Sequence, residues 1–257
     1  MNTHLLGSIK VIIGSILLLL LSSCQDQKDA LLIATASSTN LALEEIVEEF
    51  KKETGIHCEL VIGSSGKLAA QIKEGAPYDL FISANDKYTT DVTLHGMSAK
   101  PPKGFAQGRL VLWSMDNEIN PSTSVLTQNK IHHIALPNPK IAPYGEAAQE
   151  TLKRLKIQDT LQDKLVYGES VSQCNGFILS QSAEIGFTSL STVLSPAMVN
   201  KGKWILIDTI YYSPIQHTVV LLKHSEDNNE NSKKFYDFIF TQKAQEILKK
   251  FGYSVGE

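Results

Sequence analysis

The stretch VIGSSGKLAAQI, residues 61–72, sets an apolar pair, a knot of two glycines and two serines, and an amphipathic run side by side. Read by period, it is the end of a strand, a tight polar turn and the start of a helix, the unit from which α/β folds are assembled. The unit recurs outward from this point. LLIATASS is a strand opening into a small polar turn, and TNLALEEIVEEFKKETG carries Leu41, Leu43, Ile46, Val47 and Phe50 at helical spacing before it stops at Gly55. HCELVIG is the next strand, SSGKLAAQIKEGAP a helix and DLFISAN a third strand. Further on, RLVLWS, HIALPNP, KLVYGE and EIGFTSL read as strands, and GEAAQETLKRL and SVSQCNGFILSQS as helices. WILIDTIYYSPIQHTVVLLKH reads as one long extended stretch, and NSKKFYDFIFTQKAQEILKKFG closes the chain as a helical run. The alternation predicts an α/β fold on mostly parallel strands, and 257 residues suit one large domain or two lobes.

Charge narrows the function. With 24 Lys+Arg against 27 Asp+Glu, no bulk field attracts nucleic acid or a membrane surface, so any anion must be caught locally. The first 23 residues read as a signal peptide of the lipoprotein kind: Lys10 precedes an apolar run, Val11 to Leu21, too short to span a bilayer comfortably, which ends in Leu-Ser-Ser-Cys at Cys24. The expectation is cleavage before Cys24, lipid on its thiol and new amino terminus, and a tether over residues 24–30 that leads into the fold. Cys58 and Cys174 lack any spacing that suggests a bridge and read as small core residues, although export would permit a disulfide.

Four loops share one chemistry. Ser37-Ser38, Ser64-Ser65-Gly66, Pro143-Tyr144-Gly145 and Ser170-Val171-Ser172 each stand where a strand gives way to a helix. A helix start has unpaired N–H groups and the positive end of a dipole, so it stabilises an anion without a charged side chain. Ligands of open α/β sheets also gather beyond the carboxyl ends of the strands. Taken singly, each serine is explained as a helix cap. The doubled serines in two of the loops favour the ligand reading, because one hydroxyl suffices for a cap.

Enzymatic readings fail on residue identity. GSSGK lacks the final glycine of a nucleophile elbow, and it lacks the first glycine and the Ser/Thr after lysine of a phosphate-binding P-loop. His132 and His133 are adjacent, so on a strand they face opposite sides, and no further ligand stands at metal spacing. Glu44, Glu45, Glu48 and Glu49 fall on the polar side of their helix as a solvated face. Glu146 and Glu169 stand at helix starts, where solvent or a capping role accounts for them.

In combination and order, ATASSTNLALEEI, GSSGKLAAQIKEGAPYDLFISAN, GRLVLWS, APYGEAAQETL, GESVSQ, IGFTSLS and YYSPIQ resemble the molybdate-binding component of ABC transporters over essentially the whole mature chain. The resemblance implies a two-lobed periplasmic-binding-protein fold of type II, each lobe a mostly parallel sheet flanked by helices, with the ligand in the interlobe cleft. It implies lobe I over 31–108 and 212–257 and lobe II over 109–211. It further implies a monomer without cofactor or catalysis that closes over molybdate or tungstate and delivers it to a membrane permease. The family's contacts fall at Ser38, with Ser37 as a second donor, at Ser65, at Tyr144 by its amide or its phenol, and at the amide of Val171; Ser189 is left open, because this chain has Phe187-Thr188-Ser189 where some members present a tyrosine. Two alternatives stand beside this: a receptor for another oxyanion such as sulfate, and a secreted serine hydrolase using Ser64 or Ser65.

Overall fold

The computed structural model describes residues 30–223 and 230–256; the expected signal peptide, Cys24 and the expected tether up to residue 29 lie outside the described residues. Two five-stranded sheets, each flanked by helices, make two lobes. The first sheet contains β1 (Leu31–Ala36), β2 (Cys58–Gly63), β3 (Leu80–Ser83), β4 (Lys103–Gly108) and β10 (Ile215–Leu221), in the order β2-β1-β3-β10-β4. The second contains β5 (Leu110–Ser114), β6 (Ile134–Pro137), β7 (Leu165–Gly168), β8 (Ile185–Ser189) and β9 (Lys203–Leu206), in the order β7-β6-β8-β5-β9.

The two sheets are built alike. In each, three neighbouring strands run parallel, and the fourth and fifth are joined through antiparallel pairs. Four strands of each sheet thus point one way, as a mostly parallel sheet requires, and one runs against them, β10 in the first and β5 in the second, for a topological reason. The strand β4 leaves the first sheet and continues almost directly as β5 in the second, while β9 and β10 make the return journey. Each crossing puts a reversed strand into the sheet it enters.

Helices connect the parallel strands: α1 (Asn40–Thr54), α2 (Ser65–Lys73) and α3 (Asp86–Leu94) in the first lobe, then α4 (Pro143–Arg154), α5 (Gln158–Leu161), α6 (Val171–Leu179) and α7 (Leu190–Leu194) in the second. The chain closes on the first lobe with α8 (Glu230–Phe238) and α9 (Gln242–Lys250). Helix α1 buries Ala42, Leu43, Ile46, Val47 and Phe50 and ends at Gly55, whose left-handed φ of 72° suits a residue without a Cβ. Phe50 meets Phe235 and Phe238 edge-on at centroid distances of 5.1 and 5.3 Å, which ties α1 to the closing helices. The acidic face of α1 is not only solvated: Glu45 pairs with Lys250, and Glu49 with Lys52 and Lys243.

The expected long extended stretch over residues 204–224 breaks into β9, a 3-10 turn at Thr209–Tyr211 and β10. Cys58 and Cys174 belong to different lobes and are free thiols, and burial pushes each up to about 12, so both are inert small packing groups.

Candidate functional site

All four loops singled out in the sequence follow the carboxyl ends of parallel strands, and the fold brings them to one small interlobe cavity. Its lining includes Ser37 and Ser38 after β1, Ser64 and Ser65 after β2, Tyr144 after β6 and Val171 after β7. The space is small: the centres of water-sized spheres fit over only about 10 Å³ of it, the scale of a single small species and far below an ordinary small-molecule pocket. No charged side chain lines it.

The donors arise from where each helix begins. Ser65 and Val171 are the first residues of α2 and α6, and Tyr144 is the second of α4 after Pro143, so their N–H groups are first-turn donors that no helix carbonyl reaches. Three helix starts thus converge on one space, and their dipoles add. The hydroxyls complete the set. Ser38 is 4% exposed and Ser64 is 4% exposed, yet the Oγ of each has no hydrogen-bond partner. Neither caps its helix through its side chain: the residue flanking α1 is Thr39, and Ser64 flanks α2 without a side-chain bond. A buried hydroxyl left unpaired costs free energy, so its presence needs a reason outside the fold's own bonding. Ser65 Oγ accepts from Ala84 N at 3.1 Å, which leaves its proton free to donate.

The first loop is held from behind. The Ser38 carbonyl accepts from Ser191 Oγ of the second lobe at 2.7 Å and from Tyr253 Oη at 2.7 Å. Burial raises the Tyr253 phenol, so it remains a donor at neutral pH. Thr39 Oγ1 donates to Ala36 O and meets Thr35 Oγ1. Ser37 Oγ, in turn, accepts from Ser172 N across the cleft at 3.5 Å, a long bond that an incoming anion can readily replace.

Other expectations fare differently. Ser189 Oγ is engaged with Ser191 and Thr192, and Ser189 is absent from the cavity lining, so it supports α7 instead. Ser170 is the true cap of the group, accepting from Gln173 N. For Tyr144 the amide lies with the other helix starts, whereas the hydroxyl lies against Gly108 and finds no partner. Its phenol is raised well above the ordinary value, first by burial and then by Tyr253 and Tyr212. Ser64 is the residue that sequence reasoning left out of the binding set, although the doubled serine was its signal.

Glu146 and Glu169 reach across the cleft instead of capping their helices. Glu146 bonds Lys87 at 2.7 Å and Glu169 bonds Lys67 at 3.0 Å, each pair joining one lobe to the other at the rim. Exposed pairs of this kind contribute little to fold stability, but these are made only when the lobes are together. Gly66 N donates to Ile141 O across the cleft at 2.9 Å, and a Cβ on Gly66 would stand 3.0 Å from Ile141 Cα. That close approach is what the second glycine of the Gly-Ser-Ser-Gly turn permits. His132 and His133 are surface residues whose main-chain N–H groups donate to the Glu184 carboxylate.

Comparison with known proteins gives a consistent picture. A family model described as bacterial extracellular solute-binding protein matches residues 31–254. The molybdate-binding protein ModA of Rhodobacter capsulatus is 34% identical over 222 residues, covering 86% of each chain. The putative ABC transporter substrate-binding lipoprotein YvgL of Bacillus subtilis is 30% identical over 238 residues, covering 91% of this chain and 89% of its own. Among solved structures, the periplasmic molybdate-binding protein of Azotobacter vinelandii superposes with a TM-score of 0.84 at 33% identity, over 88% of this chain and all of the other.

Proposed function

The chain belongs to the bacterial extracellular solute-binding proteins, and on that premise we propose that it captures molybdate or tungstate outside the cytoplasm and delivers it, as a monomer, to an ABC permease. The observation that carries this reading is the cavity itself: three helix starts and the serine hydroxyls of two loops surround a space without a charged side chain. Such a site favours a dianion that carries no proton. Phosphate near neutral pH keeps one, and no carboxylate lines the cavity to accept it. Sulfate has the right charge and no proton, so size must exclude it: donors spaced for longer metal–oxygen bonds leave some sulfate oxygens unpaired in a desolvated site.

In this reading Ser38, Ser65, Tyr144 and Val171 hold the oxyanion, with Ser37 and Ser64 as further donors. Residues 31–108 and 212–257 move as one lobe against 109–211, and the rim pairs Lys67–Glu169 and Lys87–Glu146 form as the cleft shuts. The site has no catalytic role. A serine hydrolase would need a base on Ser64 or Ser65, whereas Ser64 Oγ has no partner and Ser65 Oγ accepts from a main-chain amide.

Lipid on Cys24 would hold the protein at the membrane beside its permease, with more than one acyl chain giving the stable anchoring that a single chain does not. Replacing Cys24 by Ala should release the protein from the membrane fraction or leave its leader uncleaved; a fully processed, unlipidated Cys24→Ala chain that still sediments with membranes would disprove the anchor. The transport role is tested by deleting the gene and measuring cell-associated molybdenum by mass spectrometry under limiting molybdate. Uptake should fall and return with the intact gene, and uptake unaltered by the deletion would remove the delivery role.

A further inference from the structure

Behind the serine cavity, where the chain passes from one sheet to the other, three buried polar atoms stand together without partners. They are Tyr144 Oη, reaching out of the second lobe, and Nδ1 and Nε2 of His217 on β10 of the first. Both side chains are essentially fully buried, at 1% and 0% exposure. The rings of Tyr144 and His217 are 6.1 Å apart at their centroids, and Tyr253 closes the other side of the imidazole at 5.1 Å. Gly108, the last residue of β4, forms the floor. A Cβ placed there would fall well inside contact distance of the Tyr144 hydroxyl, 2.9 Å from His217 Nε2 and 3.2 Å from Tyr144 Cζ.

This is a contact without a bond. The hydroxyl makes no hydrogen bond that would explain its place, so what it supplies is shape. Its position makes that shape matter. Gly108 stands two residues before β5, where the chain crosses between the lobes, so bulk added there would be wedged between a phenol of the second lobe and a strand of the first. The same residue, Tyr144, also begins α4 and lines the cavity, so moving its ring moves the helix start that faces the ligand.

We propose that the seat of the Tyr144 phenol on Gly108, beside His217, is the stop that sets how far the two lobes close and thereby positions the Tyr144 amide against the bound anion. Gly108 and His217 are positioning residues in this scheme and do not touch the ligand. The absence of a side chain at Gly108 is then a requirement of closure. Its backbone does not adopt the left-handed conformation that would otherwise call for glycine.

The inference rests on the oxyanion-receptor reading, and its test keeps the two apart. Wild type, Gly108→Ala, Tyr144→Phe and Gly108→Ala/Tyr144→Phe are titrated calorimetrically with sodium molybdate, melted without ligand, and followed by small-angle scattering as molybdate is added. Gly108→Ala should weaken binding by about tenfold or more and contract less on adding molybdate. Tyr144→Phe serves as the reference for the double variant, since it removes the hydroxyl against which a methyl at Gly108 would press. The double variant should recover much of the affinity and of the ligand-free melting temperature, though not all, because His217 Nε2 remains close.

Wild-type affinity in Gly108→Ala would overturn the stop. So would a loss in Tyr144→Phe as large as that in Gly108→Ala, which would make the hydroxyl an anion ligand. If Gly108→Ala fails to fold, a folded double variant supports the contact, and an unfolded one assigns the clash to His217 or the main chain and refutes it. If wild type does not bind molybdate, the receptor reading falls, and the ligand-free melts of the single and double variants still decide the contact.

Discussion

Ser38→Ala should separate binding from folding more sharply than any other single change in the cavity. Ser38 Oγ is buried and unpartnered, while the Ser38 carbonyl keeps its bonds from Ser191 and Tyr253 whatever the side chain is. In the ligand-free fold the substitution removes an unpaired polar atom, so stability should be unchanged or rise by up to about 1 kcal/mol. In the complex it removes a hydrogen bond to a charged oxygen, about 1.5–3 kcal/mol, which weakens affinity roughly ten- to hundred-fold. Stability and affinity should therefore move apart. A helix cap would behave otherwise, losing about 0.5–2 kcal/mol of stability with affinity intact. Titration calorimetry with molybdate gives the first quantity and urea unfolding of ligand-free protein the second. An unchanged dissociation constant together with a lower unfolding midpoint would show that the loop is structural and that the reasoning from its unpaired hydroxyl is wrong.

Ser65→Ala should lower both quantities, because Ala84 N also loses its acceptor, at a cost of about 1 kcal/mol in unfolding free energy; a variant of full stability would show that this bond contributes nothing. Burial lowers His217 from 6.5 to about 3, so the folded state holds it neutral while the unfolded chain takes up a proton as pH falls below 6.5. The stability that this provides is complete above that value and is lost progressively down to about pH 3, amounting to about 2 kcal/mol by pH 5. Urea unfolding at pH 7.5 and pH 5 should show that loss in wild type and a smaller one in His217→Leu, and equal losses in the two proteins would rule out the buried imidazole as the source.

Much of this was legible in the sequence where one local pattern sufficed. The strands β1 and β2 and the helices α1 and α2 were readable because apolar period and breaker residues agree: Gly55 ends one helix, and the Gly-Ser-Ser-Gly turn opens the other. What failed had weak local signals. Helix α3, DKYTTDVTL, buries only Tyr88, Thr89 and Val92 and is rich in β-branched residues. The strand β4, KGFAQG, has a lysine and two glycines and owes its extended form to pairing with β10. Loop chemistry showed which serines were surplus to capping, but only the packed structure distinguishes Ser64, unpaired at the cavity, from Ser189, bonded behind it. The rim pairs join residues as far apart as Lys67 and Glu169, and the contact of Tyr144 with Gly108 depends on how two lobes meet, so neither leaves a periodic trace.

The central claim is that a charge-free shell of amides and hydroxyls selects an unprotonated tetrahedral dianion by size. Its most direct measurement is a calorimetric titration of the protein, without lipid, with molybdate, tungstate, sulfate and phosphate at equal ionic strength and neutral pH. The account predicts molybdate and tungstate binding far more tightly than sulfate, with phosphate weakest, and sulfate or phosphate binding as tightly as molybdate would contradict it.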